Sequence, residues 1–564
     1  MSKKEHKGTR FEHFIFGILD VPFKSLLVMA LIFAALAGSI LMLPTKLVLA
    51  KMLPGKSTNT FTIYVDTPKG SSIHQTKIVS ECVTNIMKKE EEFVDMEVFL
   101  GQGSPLDYAG LVKGSGMKQS VEYAEIVINL SDKHGRDEKS FNMVHRLRSV
   151  ILDACKPIVR GTVIKLVEMP AGPPTLASIV VEVYGKDNRK AIVLAAEVAD
   201  ILQKTKDLVD VDIMADERHT KYTLSLIPIK ASQSGLTAKQ INEILYLAFE
   251  GMGVAVKNTI ELNDQVSIFV SLSEESQTIE KNTLRLLKNK LGQLSLMNQR
   301  GIMIPLTEVV EIKEELSVPM IYHKNLKTMV NVVAETDLVS QVYPLLDARE
   351  TMMEQFADRY EVSKSPGIST TMFDLSLVDK KSGEKYLLKF DGEMKVTLDT
   401  FRDLGGAFIA ALILIFLLLV VYYKSFALSG IVLGGSFLSI IGVIVGHWVA
   451  NLVTTETFFL TATSLIGFIA LMGISSRNSL LLIDFAQGLI KDKGIEKRRA
   501  LAIASATRAK PIMLTAIAII LGSALLAGDP VFGGLGVALI SGTFAAVIVS
   551  LLFVPILLNK TKAI

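Results

Sequence analysis

Hydrophobic residues are distributed very unevenly along this 564-residue chain. One apolar run covers about 25–43, a long mixed region follows from 44 to 404, and five further runs cover about 405–423, 426–453, 458–490, 511–527 and 531–558. A hydrocarbon core about 30 Å thick requires roughly 20 apolar residues per helix. The pattern therefore predicts six transmembrane helices, with one large hydrophilic insert between the first and the second.

The first apolar run follows a basic leader, which we place at residues 1–24. A cleaved signal peptide is the alternative interpretation, but no small-residue cleavage site follows the run, since Leu43, Pro44 and Thr45 lead directly to Lys46. We therefore predict an uncleaved signal anchor at 25–43.

Basic residues predict the orientation of the six helices. The joints NLVTTET and AGDPVFGG contain no Lys or Arg, whereas the opposite helix ends hold the leader, Lys424, the stretch KDKGIEKRRALAIASATRAK and the tail 559–564. Such an excess of positive charge marks the cytoplasmic side. We expect cytoplasmic termini, and an insert in the periplasm if the cell has two membranes. His447 and Trp448 then lie near an outer helix end, as an interfacial anchor would.

The insert alternates strand-like and helix-like segments. FTIYV, a helical run and DMEVFLG form one such unit, and IVVEVYG, a helix and VDVDIMA form another. Repeated βαβ units with short joints imply small α+β sandwiches. We divide the insert into one unit at 44–172, a second at 173–220 that resumes at 319–404, and an inserted subdomain at 221–318.

Composition and motifs exclude several functions. The net charge of +3 gives no indication of nucleic-acid binding, and the insert has no catalytic triad, Gly-rich phosphate loop or metal-ligand cluster. We therefore expect no enzyme activity, no cofactor and no metal site. Cys82 and Cys155 show no metal-ligand spacing, and we expect free thiols, which are common in protein cores; a bridge between them is the alternative if the insert is extracytoplasmic.

The fourth apolar run contains GISSRNSLLLIDF, which places Arg477 and Asn478 well inside the membrane. A charge near a helix centre costs about 2.5–3.5 kcal/mol on insertion scales, so Arg477 should face a partner or a polar cavity. Snorkelling to an interface is the structural alternative, but both membrane surfaces are distant. Asp484 lies two turns along the same face, either at the inner headgroup level or in a functional role.

The fifth run begins at ATRAKPIMLT, where Pro511 suits a first helical turn and Arg508 and Thr515 share a face. With Arg477 they would mark a polar track, although Arg508 alone would be an ordinary positive-inside charge. The chain offers no carboxylate at the depth of Arg477. Because arginine stays protonated at any accessible pH, the titrating acid must come from another chain.

These features together resemble the C-terminal half of RND exporters, with the hydrophobe/amphiphile efflux branch as the closest. The resemblance rests on the six-helix layout with one giant loop and on several motifs, namely EMPAGPPTLASIVVEVYG, FDGEMKVTLDTFRDLG, TATSLIGFIALMGI, GISSRNSLLLIDF and RAKPIMLT. It covers nearly the whole chain.

The resemblance implies a trimer in the bacterial inner membrane, with a periplasmic adaptor and an outer-membrane channel as partners. The two sandwiches would be porter subdomains and the inserted subdomain a docking subdomain. An N-terminal-type half would carry paired aspartates, faced by the family's lysine at the position of Arg477, with Arg508 and Thr515 completing the relay; we also include Asn478 and Asp484 among the candidate relay residues. Arginine in place of lysine excludes models in which this residue releases its proton.

The members of this family that are single polypeptides are about twice this length, so we expect a split pump whose aspartate-bearing half is a separate subunit. Three alternatives stay open: a six-helix protein-export auxiliary subunit, a heavy-metal exporter, and a non-transporting binding or scaffold subunit. Scattered methionines give no clear ligand ladder for a metal. A scaffold would need no buried arginine, and the sequence does not identify the cargo.

Overall fold

The structure of the protein is a computed structural model that describes residues 9–53, 57–105, 108–133, 135–168, 175–216, 218–258, 260, 265–272, 283–364, 373–454, 458–529 and 531–561. Parts of the predicted leader, of the motif EMPAGPPTLASIVVEVYG, of both outer joints and of the tail lie outside the described residues. The described part contains a bundle of long apolar helices and a large insert of mixed helices and sheets.

Six described helices are long and apolar enough to cross a membrane, and each overlaps one of the predicted runs. They are Pro22–Leu41, Glu393–Tyr423, Phe426–Val453, Ala462–Lys491, Lys497–Ala527 and Gly533–Lys560, called the first to sixth apolar helices below. The third consists of Phe426–Phe437 and Ile440–Val453, and the sixth of Gly533–Ile548, the π-helical turn Val549–Phe553 and Val554–Lys560.

The fifth apolar helix starts well before the predicted run. It begins at Lys497, so the prediction that Pro511 lies in a first turn is wrong, and Pro511 lies inside the helix. One face of the segment before the proline is composed of small and apolar residues, of which Ala500, Leu501 and Ala504 are fully buried. Packing of this face extends the helix beyond the apolar run and outweighs the usual preference of proline for helix starts.

The described part of the leader is an amphipathic helix, Arg10–Asp20, capped by the side chain of Thr9. Its Ile15, Ile18 and Leu19 are buried in a core shared with the fourth, fifth and sixth apolar helices. This helix therefore lies against the bundle, and Pro22 starts the first apolar helix directly after it.

The strands of the insert are, in chain order, β1 Thr60–Asp66, β2 Phe93–Gln102, β3 Gln119–Leu130, β4 Val163–Glu168, β5 Ile179–Tyr184, β6 Leu208–Met214, β7 Thr220–Leu226, β8 Met252–Lys257, β9 Val266–Val270, β10 Ser295–Met297, β11 Met303–Pro305, β12 Val310–Leu316, β13 His323–Lys324, β14 Lys327–Thr336, β15 Tyr360–Lys364, β16 Leu375–Asp379 and β17 Lys385–Asp391. All pairings between these described strands are antiparallel. Each predicted βαβ segment therefore connects strands that are not parallel neighbours.

The first sheet unit consists of β1 to β4 in the order β2-β3-β1-β4, with helices Ile73–Met87 and Ser140–Cys155 packed on the sheet. Its shorter helices are Tyr108–Lys113, Ser115–Met117 and Lys156–Ile158. Alternate side chains of β1, namely Phe61, Ile63 and Val65, point into the core. The order and the two crossover helices are those of a split βαβ arrangement.

A disulfide links Cys82 to Cys155, with the two Cα atoms 5.7 Å apart, so the expectation of free thiols is wrong. The two cysteines lie 73 residues apart in sequence, but their helices contact each other in the same core. Only the folded arrangement brings them together.

The second sheet unit is a seven-stranded sheet in the order β13-β14-β5-β17-β16-β15, with β6 paired to β14, and helices Asn188–Lys204 and Val342–Phe356 pack in its core. The inserted unit joins β6 to β13: β7 pairs with β12, β8 with β9, and β10 with β11. Its helices are Pro228–Ser234, Ala238–Phe249, Thr283–Gln293 and Leu306–Val309.

The second sheet unit continues directly into the second apolar helix. Gly392, with φ +85°, joins β17 to Glu393–Tyr423, and a Cβ there would lie 2.6 Å from the Ala177 oxygen. The amide of Glu393 donates to the same oxygen at 3.2 Å, and Met394 is buried in the core of the sheet unit. Sheet and helix are therefore held together at this joint.

Candidate functional site

The fourth apolar helix, Ala462–Lys491, has two unlike faces. Its buried face is rich in small polar residues, which pack against the other helices: Ser464, Ser475, Ser476, Asn478 and Ser479. The opposite side is an exposed stripe at helical spacing, composed of Ile466, Ala470, Gly473, Arg477 and Leu481. We call this set the Arg477 stripe.

Arg477 lies in the middle of its stripe and is exposed on the surface of this chain. In the described part of the chain, no carboxylate oxygen lies within the 4.0 Å ion-pair distance of its guanidinium group. Gly473, one turn away, leaves open space, because a Cβ added there would meet nothing within 4 Å. The surface around Arg477 is thus smooth enough for another helix to approach closely.

Asn478 does not share this surface. It is buried on the opposite side of the helix, where Ser476 hydrogen-bonds Ser436 at 3.0 Å and Ser479 lies 3.5 Å from Ser550. Of the two adjacent polar residues predicted for the site, the structure therefore directs Asn478 into the bundle and Arg477 away from it.

Asp484 is held by two tyrosines at the end of the second apolar helix. The hydroxyl groups of Tyr422 and Tyr423 each donate to its carboxylate at 3.1 Å, and Tyr423 also lies 3.3 Å from the Leu480 oxygen. Seven residues separate Asp484 from Arg477, which is about 10 Å along the helix axis. Asp484 therefore connects two helices at a level nearer the C-terminal end of the fourth apolar helix than Arg477.

Arg508 and Thr515, on the fifth apolar helix, occupy two different levels. The Arg508 guanidinium carbon lies 4.9 Å from the ring centroid of Phe485, next to Asp484 in the chain. Thr515 is exposed, and its hydroxyl contacts the Pro511 and Ile512 oxygens at 3.2 and 2.9 Å. Because the two helices are antiparallel, seven residues place Thr515 at about the depth of Arg477.

The polar track predicted from the sequence is thus arranged in two layers. Arg477 and Thr515 are exposed at one depth of the bundle, which we call the outer layer. Asp484 and Arg508 lie about two helical turns away, at a depth that we call the inner layer. Tyr422, Tyr423 and Phe485 also belong to the inner layer, and sequence reasoning did not select them. The sequence signal for them was a pair of tyrosines at the C-terminal end of an apolar run.

His447 is not an interfacial anchor, and that prediction is wrong. The side chain is fully buried: Nδ1 lies 2.8 Å from the Val443 oxygen and Nε2 lies 2.9 Å from Ser464 Oγ. His447 therefore links the third and fourth apolar helices, while Trp448 packs partly buried in the neighbouring core.

Chemically, the outer layer offers a fixed positive charge without an acid. Arginine cannot release a proton at accessible pH, so Arg477 can stabilise a carboxylate but cannot relay a proton by itself. In the described residues, no group of three or more His, Cys, Asp or Glu side chains could hold a metal ion.

Comparisons with known proteins give relatives of this chain, similar folds and a family. The swarming motility protein SwrC of Bacillus subtilis (strain 168) is 24% identical over 565 residues, covering 98% of this chain and 47% of SwrC. The multidrug export protein AcrF of Escherichia coli (strain K12) is 22% identical over 574 residues, covering 98% of this chain and 49% of AcrF. The chain therefore spans about half the length of these relatives.

Solved structures of a heavy metal efflux pump, in two crystal forms, share the fold. Each has a TM-score of 0.68 and 16% identity, over 97% of this chain and 51% of the pump chain. Residues 5–561 match the AcrB/AcrD/AcrF family, which covers nearly the whole chain. The chain belongs to the AcrB/AcrD/AcrF family of RND transporters.

Proposed function

We propose that this chain is the C-terminal-type half of a proton-driven RND efflux pump and works with a complementary N-terminal-type half, made as a separate subunit, that carries the titrating aspartates. The position of Arg477 is the observation on which this depends. It lies midway along an apolar helix, on an exposed stripe, and has no ion-pair partner in the described chain.

Energetics favour a protein partner over lipid at this stripe. An arginine facing hydrocarbon at mid-depth costs about 2.5–3.5 kcal/mol on insertion scales, and a partner carboxylate would offset that cost. Ala470 and Gly473 beside it are small, as at sites where transmembrane helices pack closely. Thr515, exposed at about the same depth, would contact the same partner.

The transport cycle we propose begins when a proton from outside reaches the partner's carboxylates. Protonation weakens their pairing with Arg477, and the fourth apolar helix shifts. Asp484 holds that helix to Tyr422 and Tyr423, at one end of the rod Glu393–Tyr423, whose other end is fused to the second sheet unit. A shift within the bundle would thereby reach the insert.

Energy from the membrane is sufficient for such shifts. Each elementary charge that crosses is worth about 2.3 kcal/mol per 100 mV, so one or a few protons can drive rearrangements of a few kcal/mol. Asn478, in contrast, is expected to support the buried face of the helix and not to relay protons.

We further propose an inner-membrane pump with cytoplasmic termini, a periplasmic insert and three copies of each half, acting with a periplasmic adaptor and an outer-membrane channel. The disulfide supports the orientation, because such bonds persist in oxidising compartments. Exposed apolar side chains on the β8–β9 hairpin, such as Val256 and Phe269, support contact with another chain.

The proposed cargo is a small amphiphilic or hydrophobic compound taken from the periplasm or the inner membrane. The multidrug export name of AcrF supports this class, whereas the heavy metal efflux pump suggests metal ions as the alternative. Susceptibility of a pump-deficient host to detergents, dyes and metal salts, with and without both halves, distinguishes them. Protection against metal salts alone would contradict the amphiphile assignment.

Transport by Arg477 variants tests the function. Both halves are purified together, reconstituted in proteoliposomes and supplied with a pH gradient and an amphiphilic dye. We expect Arg477→Ala to reduce gradient-driven dye transport at least tenfold and Arg477→Lys to retain most of it, with assembly unchanged in size-exclusion chromatography. Ile466→Ala, on the same stripe, is the matched control and should transport normally.

Full transport by Arg477→Ala would refute the proposed role of Arg477, whereas absence of gradient-driven transport by the wild-type pair would favour a scaffold or sensor role. The separate-subunit part has its own test, an immunoblot of native membranes with an antibody against the inserted unit. A band near 61.6 kDa is expected. A band of about twice that mass would refute separate halves and leave the role of Arg477 intact.

A further inference from the structure

The interface between the first and second sheet units is strongly polarised in charge. Five contacts between an ionisable side chain of residues 60–168 and a carboxylate of the second unit occur among the described residues, and in every one the carboxylate belongs to the second unit; four of the five partners are Lys or Arg, and the fifth, His145, is a cation only when protonated. The pairs are Lys69–Asp216, Lys113–Glu335, His145–Asp337, Arg148–Asp210 and Lys165–Asp212. We call this set the charge seam.

The centre of the charge seam is buried. The side chains of Arg148 and Asp210 are only 11% and 2% exposed, and Lys113 lies 3.1 Å from Glu335 with little exposure of either group. The edges are more exposed: the side chain of His145 is half exposed, and its Nδ1 lies 2.6 Å from the carboxylate of Asp337. The charge seam is therefore buried at its centre and exposed to solvent at its edges.

The backbone of the second unit is shaped to supply the central anion. Asp210 has φ +52°, a left-handed conformation that aspartate tolerates better than most residues. The register of β6 against β14 shifts between two residue pairs, Asp212 with Val333 and Val209 with Glu335. Asp210 lies in β6 at this irregularity. Such a bulge re-aims side chains, and here the carboxylate of Asp210 meets Arg148 of the first unit.

Each sheet unit has its own apolar core. Residues such as Ile63, Ile126 and Leu147 form the core of the first unit, and a separate cluster that includes Val181 and Val332 forms that of the second. The contact between the units is therefore mainly ionic at its centre. Polar interfaces of this kind allow two units to move relative to each other.

Buried ion pairs are well suited to a reversible contact. Their attraction is largely offset by the loss of hydration of both charges, whereas separation rehydrates both. Burial raises the pKa of Asp210 even though Arg148 and Lys165 oppose this change, and the like charge of Glu335 adds to it, so the cost of desolvation is visible at this pair. Lys113 and the Ser178 hydroxyl and amide overcome burial and lower the pKa of Glu335, which keeps that end charged.

We propose that the charge seam is a latch: its ion pairs hold the first and second sheet units together, and the two units separate along it as rigid bodies. This goes beyond the proposed export function and does not depend on it. The positions of the four Lys and Arg side chains opposite their four carboxylates also favour this alignment of the two units.

Spin-label distances test the latch in the full-length protein in lipid nanodiscs. One label pair spans the seam, at Val150→Cys on the first unit and Val193→Cys on the second, both exposed positions. A second pair, Ile78→Cys and Val150→Cys, lies within the first unit and reports whether that unit stays folded. The native cysteines are bonded to each other and do not take the label.

Charge reversal should open the seam and charge exchange should close it again. We expect Arg148→Glu, or the less buried Lys165→Glu, to give a longer and broader distance across the seam while the within-unit distance stays constant. Combining Lys165→Glu with Asp212→Lys should restore the short distance. The apolar pair Arg148→Met with Asp210→Leu should stay closed, because two matched apolar side chains replace the ions without leaving either charge unpaired.

An unchanged distance across the seam in both single reversals would overturn the proposal. Failure of the Lys165/Asp212 exchange to restore the short distance would overturn it too, because complementarity of charge would then not be what holds the two units together. If Arg148→Glu alters the within-unit distance, the Lys165 series decides the question.

Discussion

Opening the disulfide between Cys82 and Cys155 should weaken the first sheet unit by a calculable amount. The bond closes a loop of 73 residues, which contains β2 and β3 and ends on both core helices. The perturbation is chemical reduction of the intact protein, which leaves every other side chain in place.

The magnitude follows from the length of the loop. In the chain-entropy account, closing 73 residues removes about 15 cal/mol/K from the unfolded state, or about 4.4 kcal/mol at 25 °C. Measured effects of disulfides are often smaller, so about 3–4 kcal/mol is expected. With a urea dependence of about 1.5 kcal/mol/M, the midpoint should fall by roughly 2–3 M.

The assay is pulse proteolysis of the full chain in detergent across a urea series, following the fragment that carries the first sheet unit. Wild type is measured with and without reductant, and mass spectrometry confirms that both thiols have formed. The double variant Cys82→Ala/Cys155→Ala is the control, since reductant has no bond to act on and its midpoint should not change.

An identical midpoint for oxidised and fully reduced wild type would refute this reasoning. It would mean that the bond does not constrain the unfolded chain, or that the two helices are not neighbours in the native unit. A fall in both wild type and double variant would assign the effect to the reductant and not to the bond.

Three further predictions concern other parts of the chain. Burial raises the pKa of Glu168 to about 7, from an ordinary value near 4.5, so its contribution to stability is present below pH 4.5 and is lost as the pH rises toward 7. Glu168→Gln should therefore stabilise the first sheet unit at pH 8 by up to about 3 kcal/mol and have little effect at pH 4. Pulse proteolysis at both pH values measures this difference, and an equal change in stability at pH 4 and pH 8 would contradict the prediction. Gly534→Ala should cost about 1–3 kcal/mol and lower the melting temperature, because its Cβ would lie 2.3 Å from Thr461 Oγ1, whereas Gly473→Ala, with open space, should melt normally. Replacing Tyr422 and Tyr423 by Phe removes both hydroxyl contacts to Asp484 and should slow gradient-driven transport severalfold at unchanged expression; wild-type rates would exclude coupling through this joint.

Several features followed from local sequence pattern. Apolar runs long enough for a bilayer are helical in the structure, and alternation in segments such as FTIYV corresponds to a half-buried strand, because period and length are local properties. Arg477 was recognisable as a candidate for the same reason, since a charge in the middle of an apolar run is visible without tertiary information.

Other features depended on tertiary contacts that local pattern does not contain. Pro511 lies inside a helix because the preceding turns pack into the bundle. His447 can be buried because its ring forms a hydrogen bond with the hydroxyl group of Ser464 on the next helix. The bond between Cys82 and Cys155 needed two helices to meet. Asp484 was ambiguous from its depth alone, and only its contacts with Tyr422 and Tyr423 show which helix it joins.

The most direct test of the central claim is an experimental structure of the assembled pump in a lipid bilayer, at a resolution that shows side chains around Arg477. The account predicts a carboxylate oxygen of the complementary half within about 4 Å of the guanidinium group, the distance of an ion pair. Acyl chains packed against Arg477, or a lipid phosphate in place of a protein acid, would contradict it.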